Sequence, residues 1–404
     1  MDSASNPLHT KRMARLNLFI TLGLLVATLF QSLPEAVGNE PAADGGGEYV
    51  WKEQGPDLTQ QQRQEIQAQI QSNIRWLQSQ GKLPNLSLNR VALAWPLKAA
   101  SGFTDYGYYG FVSFVDHDPA YPDQLLDYHC GNRTYDLSSG YNHAGTDIAP
   151  WPFAWNKMDN SAVQVVAAAN GVIVYKQDGH YDRSCGFGGA TWNAVYVWHG
   201  DGSIAWYGHL KNGTVTLKGI GSTVVTGEYL GVVGSSGNST GPHLHFELHD
   251  FANNLIDPYH GDCNTTDSWW ADQRPYYDSA INKLMTGAAP PVFPDCPNPE
   301  ISNERTTFAT GETIYFTTFY RDQLAGQQSQ YAIYEPDGST YYTWTHSSSA
   351  PFYAASYWYW HYTFGQDVLT GTWRLKVTYN GQTYQYPFTI TVFDKRVYLP
   401  LVKR

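Results

Sequence analysis

Charge is scarce in this chain of 404 residues: 15% are Asp, Glu, Lys or Arg, against 42% hydrophobic and 15% aromatic. Solvent-laced helices need charged faces, so this composition, with 30 Tyr and 14 Trp, favours strands. Basic residues are the scarcer sign, 25 against 36 acidic. A phosphate backbone is repelled by such a surface, which excludes nucleic acid as a partner. Cysteine is rare as well. Cys130, Cys185, Cys263 and Cys296 include no close pair of the kind a zinc knuckle uses. No His-Glu-x-x-His stretch occurs, which excludes a helical metalloprotease site. Long apolar runs are missing too: "LNLFITLGLLVATLF", residues 16–30, is marginal for crossing a bilayer.

That run has its own reading. Lys11, Arg12 and Arg15 precede it and the small residues "AVG" follow at 36–38, the pattern of a signal peptide over 1–38. A retained membrane anchor is the alternative. Cleavage would leave the protein secreted or at the cell surface, with no membrane contact of its own. Export also decides how the cysteines are read, because two disulfides suit an oxidising compartment. Sequence admits three pairings, and joining neighbours in order gives Cys130–Cys185 and Cys263–Cys296.

The length suits two domains with separate cores. Residues 39–90 read as a flexible linker, Gly- and Ala-rich over 39–48, followed by an amphipathic helix, together a possible pro-segment. In the helix Ile66, Ile70, Ile74 and Leu77 recur at three- and four-residue spacing, with Asp57 or Thr59 as cap and Gly81 as stop. Over 91–285 the pattern changes to short strands punctuated by Gly. "AVQVVAAANGVIVYK" reads as two strands around Asn-Gly, and "AVYVWHGDGSIAWYGHL" repeats the form around Gly-Asp-Gly. A Pro-rich linker follows at 286–300. Some seven strand-like runs at 301–395 then suggest an immunoglobulin-like β-sandwich that lacks the Cys…Trp…Cys frame. The tail 396–404 is apolar, then basic. The fold class is mainly β: an antiparallel sheet domain behind a short helix, then a sandwich.

Chemistry concentrates in "STGPHLHFELHD", 239–250. In a strand, residues two apart share a face, so His243, His245, Glu247 and His249 line one side and Leu244, Phe246 and Leu248 the other. A half-buried strand with a wet face explains that alternation equally well. "YNHAGTDIAP", 141–150, adds His143 and Asp147, four apart and on one face if extended. Imidazole nitrogen and carboxylate oxygen are zinc ligands, and a catalytic zinc needs three of them plus an open position. Calcium or magnesium would ask for more oxygens. His209 in "WYGHLKNG" is, taken alone, an ordinary histidine at a strand end.

Taken together, "HAGTD", "WYGHL" and "GSSGNSTGPHLHFEL", in that order, resemble the lysostaphin-type, LytM-like zinc metallopeptidases. The similarity runs from Trp95 to Pro258, roughly 40% of the chain. The resemblance implies a small antiparallel β domain with a groove across its sheet. It implies a zinc ion on His143, Asp147 and His245, with His209 and His243 as non-ligand histidines flanking an activated water. It also implies hydrolysis of peptide bonds in bacterial peptidoglycan, in cross-links or stem peptides. Relatives carry a transition-state tyrosine before the first ligand, and here Tyr135 and Tyr141 both qualify. The aromatic insertion at 101–140 and the enlarged loop "DGHYDRSCGFGGATW" are expected to wall the groove. His129, His180, His199 and His249 read as structural or solvated, and Glu247 as an ordinary strand residue. Two other readings stand beside the peptidase: an inactive binding or regulatory protein on the same fold, and a secreted protease with protein substrates.

Overall fold

Side-chain alternation decides how this chain layers. The computed structural model describes residues 41–52 and 55–392, whose strands build four sheets. The largest has eight strands. In spatial order Tyr109–Ser113, Thr146–Pro150, Leu244–His249, Ile204–Gly208, Ala194–His199, Gly171–Gln177 and Thr223–Val224 lie side by side, and Leu255–Ile256 is appended to Leu244–His249. All its pairings are antiparallel. Ile173, Val195, Val197, Ala205, Tyr207, Leu244, Phe246 and Leu248 belong to one core with the small sheet of Tyr229–Val232, Val163–Val166 and Leu97–Ala99. Their alternates Val172, Val174, Ala194, Tyr196 and Trp206 face the other way, onto the helix Gln60–Ser79.

That helix has the predicted stripe: Ile66, Ile70, Ile74 and Leu77 are its buried residues. Of the two candidate caps Thr59 takes the position, in a reciprocal capping box with Gln62. Asp57 is freed for another place. The Gly-Asp-Gly hairpin forms as expected, joining Ala194–His199 to Ile204–Gly208. The Asn-Gly stretch does not. Val163–Val166 pairs within the small sheet and Gly171–Gln177 within the large one. Both runs are apolar enough to bury, and the buried Ala167–Ala169 carries the chain between layers instead of folding it back.

The second module is a two-sheet sandwich. Gly45–Glu48, Phe352–Thr363, Thr313–Leu324 and Ala280–Gly287 form one sheet, and Thr307–Ala309, Gln382–Thr391, Gly371–Tyr379, Gln328–Tyr334 and Thr340–Ser347 the other. Phe316, Tyr320 and Trp360 from the first meet Trp373, Leu375 and Phe388 from the second. Ala280–Gly287 thus joins the sandwich ahead of the Pro-rich stretch. Gly45–Glu48, expected to be flexible, is an edge strand paired to Ser356–Tyr359. Three glycines leave its stability to backbone hydrogen bonds alone. The stretches 1–38 and 396–404 lie outside the described residues, among which no helix is long and apolar enough to cross a membrane.

The disulfides correct the expected order: Cys130 bonds Cys263, and Cys185 bonds Cys296. Tertiary packing overrides sequence neighbourhood. The Tyr128 carbonyl accepts the Cys263 N–H at 3.0 Å, which seats the two loops together. Cys185–Cys296 spans 111 residues and ties a loop of the first module to the Pro-rich linker. Replacing both cysteines with serine is expected to cost about 2–5 kcal/mol, read as a lowered denaturation midpoint under oxidising conditions.

Candidate metal centre

Register brings the motifs together. His245 lies opposite Asp147 on one neighbouring strand and opposite Gly208 on the other, so the residue after Gly208, His209, arrives beside them. Asp147 sits on the strand Thr146–Pro150, whereas His143 lies three residues before its start, next to the Asn142–Asp136 bridge. Gly145 lets the segment pass close to His245: a Cβ there would lie 2.6 Å from the His245 ring. His143, Asp147, His209 and His245 are all buried.

Hydrogen bonds fix both ligand-candidate imidazoles. The Phe114 carbonyl, 2.6 Å from His143 Nδ1, can only accept, so Nδ1 carries the proton and Nε2 presents a lone pair. Glu247 Oε1 accepts from His245 Nε2 at 2.8 Å, which leaves Nδ1 as the other lone pair. The two free nitrogens are 3.4 Å apart. Asp147 reaches both, Oδ2 at 3.2 Å from His143 and Oδ1 at 2.8 Å from His245. Two facing lone pairs and a buried carboxylate repel one another. A shared cation relieves all these contacts at once, while a proton on either ring relieves only part of them. The donor set of two nitrogens and a carboxylate fits zinc.

A residue the motifs did not mark completes the cluster. Asp57, 3% exposed, places Oδ2 3.4 Å from His245 Nδ1 and 4.0 Å from His143 Nε2. Its Oδ1 lies 3.3 Å from His209 Nε2. Asp57, His143 and His245 are disposed to hold a metal together, and so are Asp57, His209 and His243. Only its position just before a helix distinguished Asp57 in the sequence, and that signal pointed to capping.

The flanking histidines also have defined tautomers. His209 Nδ1 donates to the Ser236 carbonyl at 2.6 Å and His243 Nδ1 to that of Gly241 at 2.9 Å. Both Nε2 atoms therefore face the cluster, His243 Nε2 standing 3.7 Å from Asp147. His209 adopts the left-handed φ of 60°, a strained conformation that aims its ring inward. Burial and the neighbouring His209 push His243 down to about 4. Burial also opposes charge on His245, but Asp57, Asp147 and Glu247 outweigh it and hold that ring well above its ordinary value. Tyr141 donates to Asp57 Oδ2 at 2.5 Å, and Tyr135 stacks on His143 with centroids 4.5 Å apart.

Glu247 proves more than a strand residue. Besides His245 it accepts from His249 Nε2 at 2.7 Å and from both guanidinium nitrogens of Arg63, at 2.6 and 2.8 Å. Its place two residues beyond His245 on the same face was the available signal. Burial disfavours its charge, yet Arg63 and the two histidines hold it well below the ordinary carboxylate range. Arg63→Ala would strand a buried carboxylate and is expected to destabilise the fold by about 3–5 kcal/mol, measurable by chemical denaturation. Glu247→Gln, which withdraws the acceptor behind His245, is expected to weaken zinc affinity about 10–100-fold by competition with a chromophoric chelator.

Comparison with known proteins follows the same residues. The profile of peptidase family M23 matches residues 141–258. The DD-carboxypeptidase/endopeptidase Mpg of Neisseria meningitidis is 41% identical over 83 residues, 20% of this chain and 16% of that protein. Its Neisseria gonorrhoeae counterpart matches equally. The chain thus aligns with less than a fifth of these relatives' length. Among solved structures, a zinc-containing peptidase from Vibrio cholerae is 20% identical with a TM-score of 0.27, over 44% of this chain and 41% of that one. The catalytic domain of the prophage-encoded M23 protein EnpA from Enterococcus faecalis is 24% identical with a TM-score of 0.24, over 37% and 88%. The stretch that holds His143, Asp147, His209 and His245 is the part of this chain that is similar to peptidase family M23.

Proposed function

We propose that this protein is an exported zinc metalloendopeptidase that hydrolyses peptide bonds in peptidoglycan cross-links or stem peptides. The observation that carries the reading is the convergence of the His143 Nε2 and His245 Nδ1 lone pairs on Asp147, with two further histidines aimed at the same point. His143, Asp147 and His245 would hold the zinc. When bound, the ion supplies Lewis acidity, polarising the scissile carbonyl and lowering the pKa of water.

The remaining work falls to the protein. His243 Nε2 is a free acceptor, because its Nδ1 proton is committed to Gly241, and it takes the proton of the attacking water. It returns that proton to the leaving amine. His209, its ring fixed by Ser236 beside that of His243, and Tyr141 stabilise the developing oxyanion. A cavity of about 340 Å³ lies beside the cluster, lined by Trp155, Phe187, Asn238 and His243. Two disulfides suit an oxidising compartment. The cell-wall substrate is supported by the lysostaphin-like motifs and by the Neisseria relative, a DD-carboxypeptidase/endopeptidase by name.

The test uses the full chain with Asp57→Ala, which clears the centre. It is expected to take up one zinc per chain and to release new amino groups from purified peptidoglycan, and adding His245→Ala is expected to abolish both. A chain without stoichiometric zinc, or one that cuts equally well without His245, overturns the proposal. Cleavage of casein with peptidoglycan left intact would overturn the substrate class.

A further inference from the structure

The cavity beside the histidines has a second chemical feature. Its lining runs from Asp147 and His243 to Glu300, the last residue of the Pro-rich linker, so both lie on one continuous space. Glu300 stands outside residues 141–258, the stretch similar to family M23, and no step of the proposed hydrolysis uses it. The wall it shares is aromatic. Trp51, Trp155, Phe293 and Tyr357 line the cavity, each ring partly exposed. Two contacts place the carboxylate among them. Glu300 Oε2 accepts the Asn156 N–H at 3.2 Å, next to Trp155. Second to burial, its charge raises the Tyr49 hydroxyl, whose ring lies 5.0 Å from that of Trp51 and 5.2 Å from that of Phe293.

This carboxylate lacks a counter-charge. Among the described residues Glu300 has no ion-pair partner, because the cations around it are committed elsewhere. Lys157 binds Asp105 at 3.0 Å, Lys52 pairs with Asp295, and Arg183, packed against Trp155, pairs with Asp159. Burial pushes the Glu300 carboxyl up to about 7, and neither the Asn156 N–H nor the more distant Lys157 offsets it. A buried carboxylate without a cation is costly, and a ligand that brings one relieves that cost. Ring faces attract cations too.

We propose that Glu300, with the rings of Trp155 and Phe293, forms a specificity subsite for a side-chain ammonium of the substrate, the primary amine of a lysine or another diamino residue near the scissile bond. The proposal rests on the metallopeptidase reading above and names a substrate feature which that reading leaves open. An ammonium makes a charge-assisted hydrogen bond to the carboxylate. A neutral side chain would leave Glu300 unpaired, and an acidic one would be repelled by it, so the same group both selects and rejects.

The test uses capped, fluorescently labelled alanine pentapeptides, with one lysine or one norleucine at each position in turn. They are titrated against the metal-free full chain and followed by anisotropy, which reads binding without turnover. The wild type is expected to bind the best lysine peptide about 10–100-fold more tightly than its norleucine twin, the range for one hydrogen bond between charged groups. Glu300→Gln, which keeps an oxygen for the Asn156 N–H, is expected to bind both twins at the norleucine level. Trp155→Leu is expected to reduce the preference severalfold and serves as the second variant should Glu300→Gln misfold. Equal binding of the twins by the wild type at every position overturns the subsite, and so does a lysine preference that either variant leaves intact. With zinc restored, the same peptides read kcat/KM. Lysine-selective binding with no peptide cut would keep the subsite and defeat the peptidase reading; cleavage blind to lysine would do the reverse.

Discussion

The carboxylate of Glu247 is shared by His245, His249 and Arg63, and much of the molecule is arranged around that contact. Buried and ionised, it needs a cation close by, and the N-terminal helix supplies one. In return the carboxylate fixes which nitrogen of His245 faces Asp147. A charge pair that anchors a helix thus also sets the tautomer of a candidate metal ligand. Stability and chemistry meet in one side chain, and neither the helix nor the centre is fully built without the other.

The layering follows from the same strand. Leu244, Phe246 and Leu248 fill the core between the large and small sheets, while His245 and Glu247 look the opposite way. That opposite face is divided along its length. At one end lies the candidate metal centre; at the other, Trp206 and His249 pack with ring centroids 4.7 Å apart near the helix. A strand with one wet face would leave these groups hydrated. Here the helix and the residues just ahead of it, Asp57 among them, cover these groups, so their charges act on one another at low dielectric.

The period-two pattern made Leu244–His249 legible as a strand, and the spacing of Ile66, Ile70, Ile74 and Leu77 did the same for the helix, because both signals are local. The five clustered His and Asp side chains were accessible through motif order. What stayed hidden depended on tertiary placement. Asp57 reads as a helix cap until Thr59 is seen to fill that role. Glu247 looks like one more strand residue until Arg63 arrives from a segment 184 positions away. The Asn-Gly pair at 170–171 offers good turn chemistry, yet two runs with apolar faces found different sheets to pair with. Disulfide partners depend on which loops meet, and neighbour order carries no information about that. The strand Gly45–Glu48 has a composition that predicts flexibility and finds its order only at a sheet edge.

Cys185 lies two residues before Phe187 in the loop that walls the groove, and its partner Cys296, on the Pro-rich linker, lines the same cavity as Phe187. The bond works as a fastener between the jaws of the cleft. Without that bond the loop would no longer be tied to the linker. An oxidising compartment, which the two disulfides suit, would therefore also decide how firmly the cleft's wall is held.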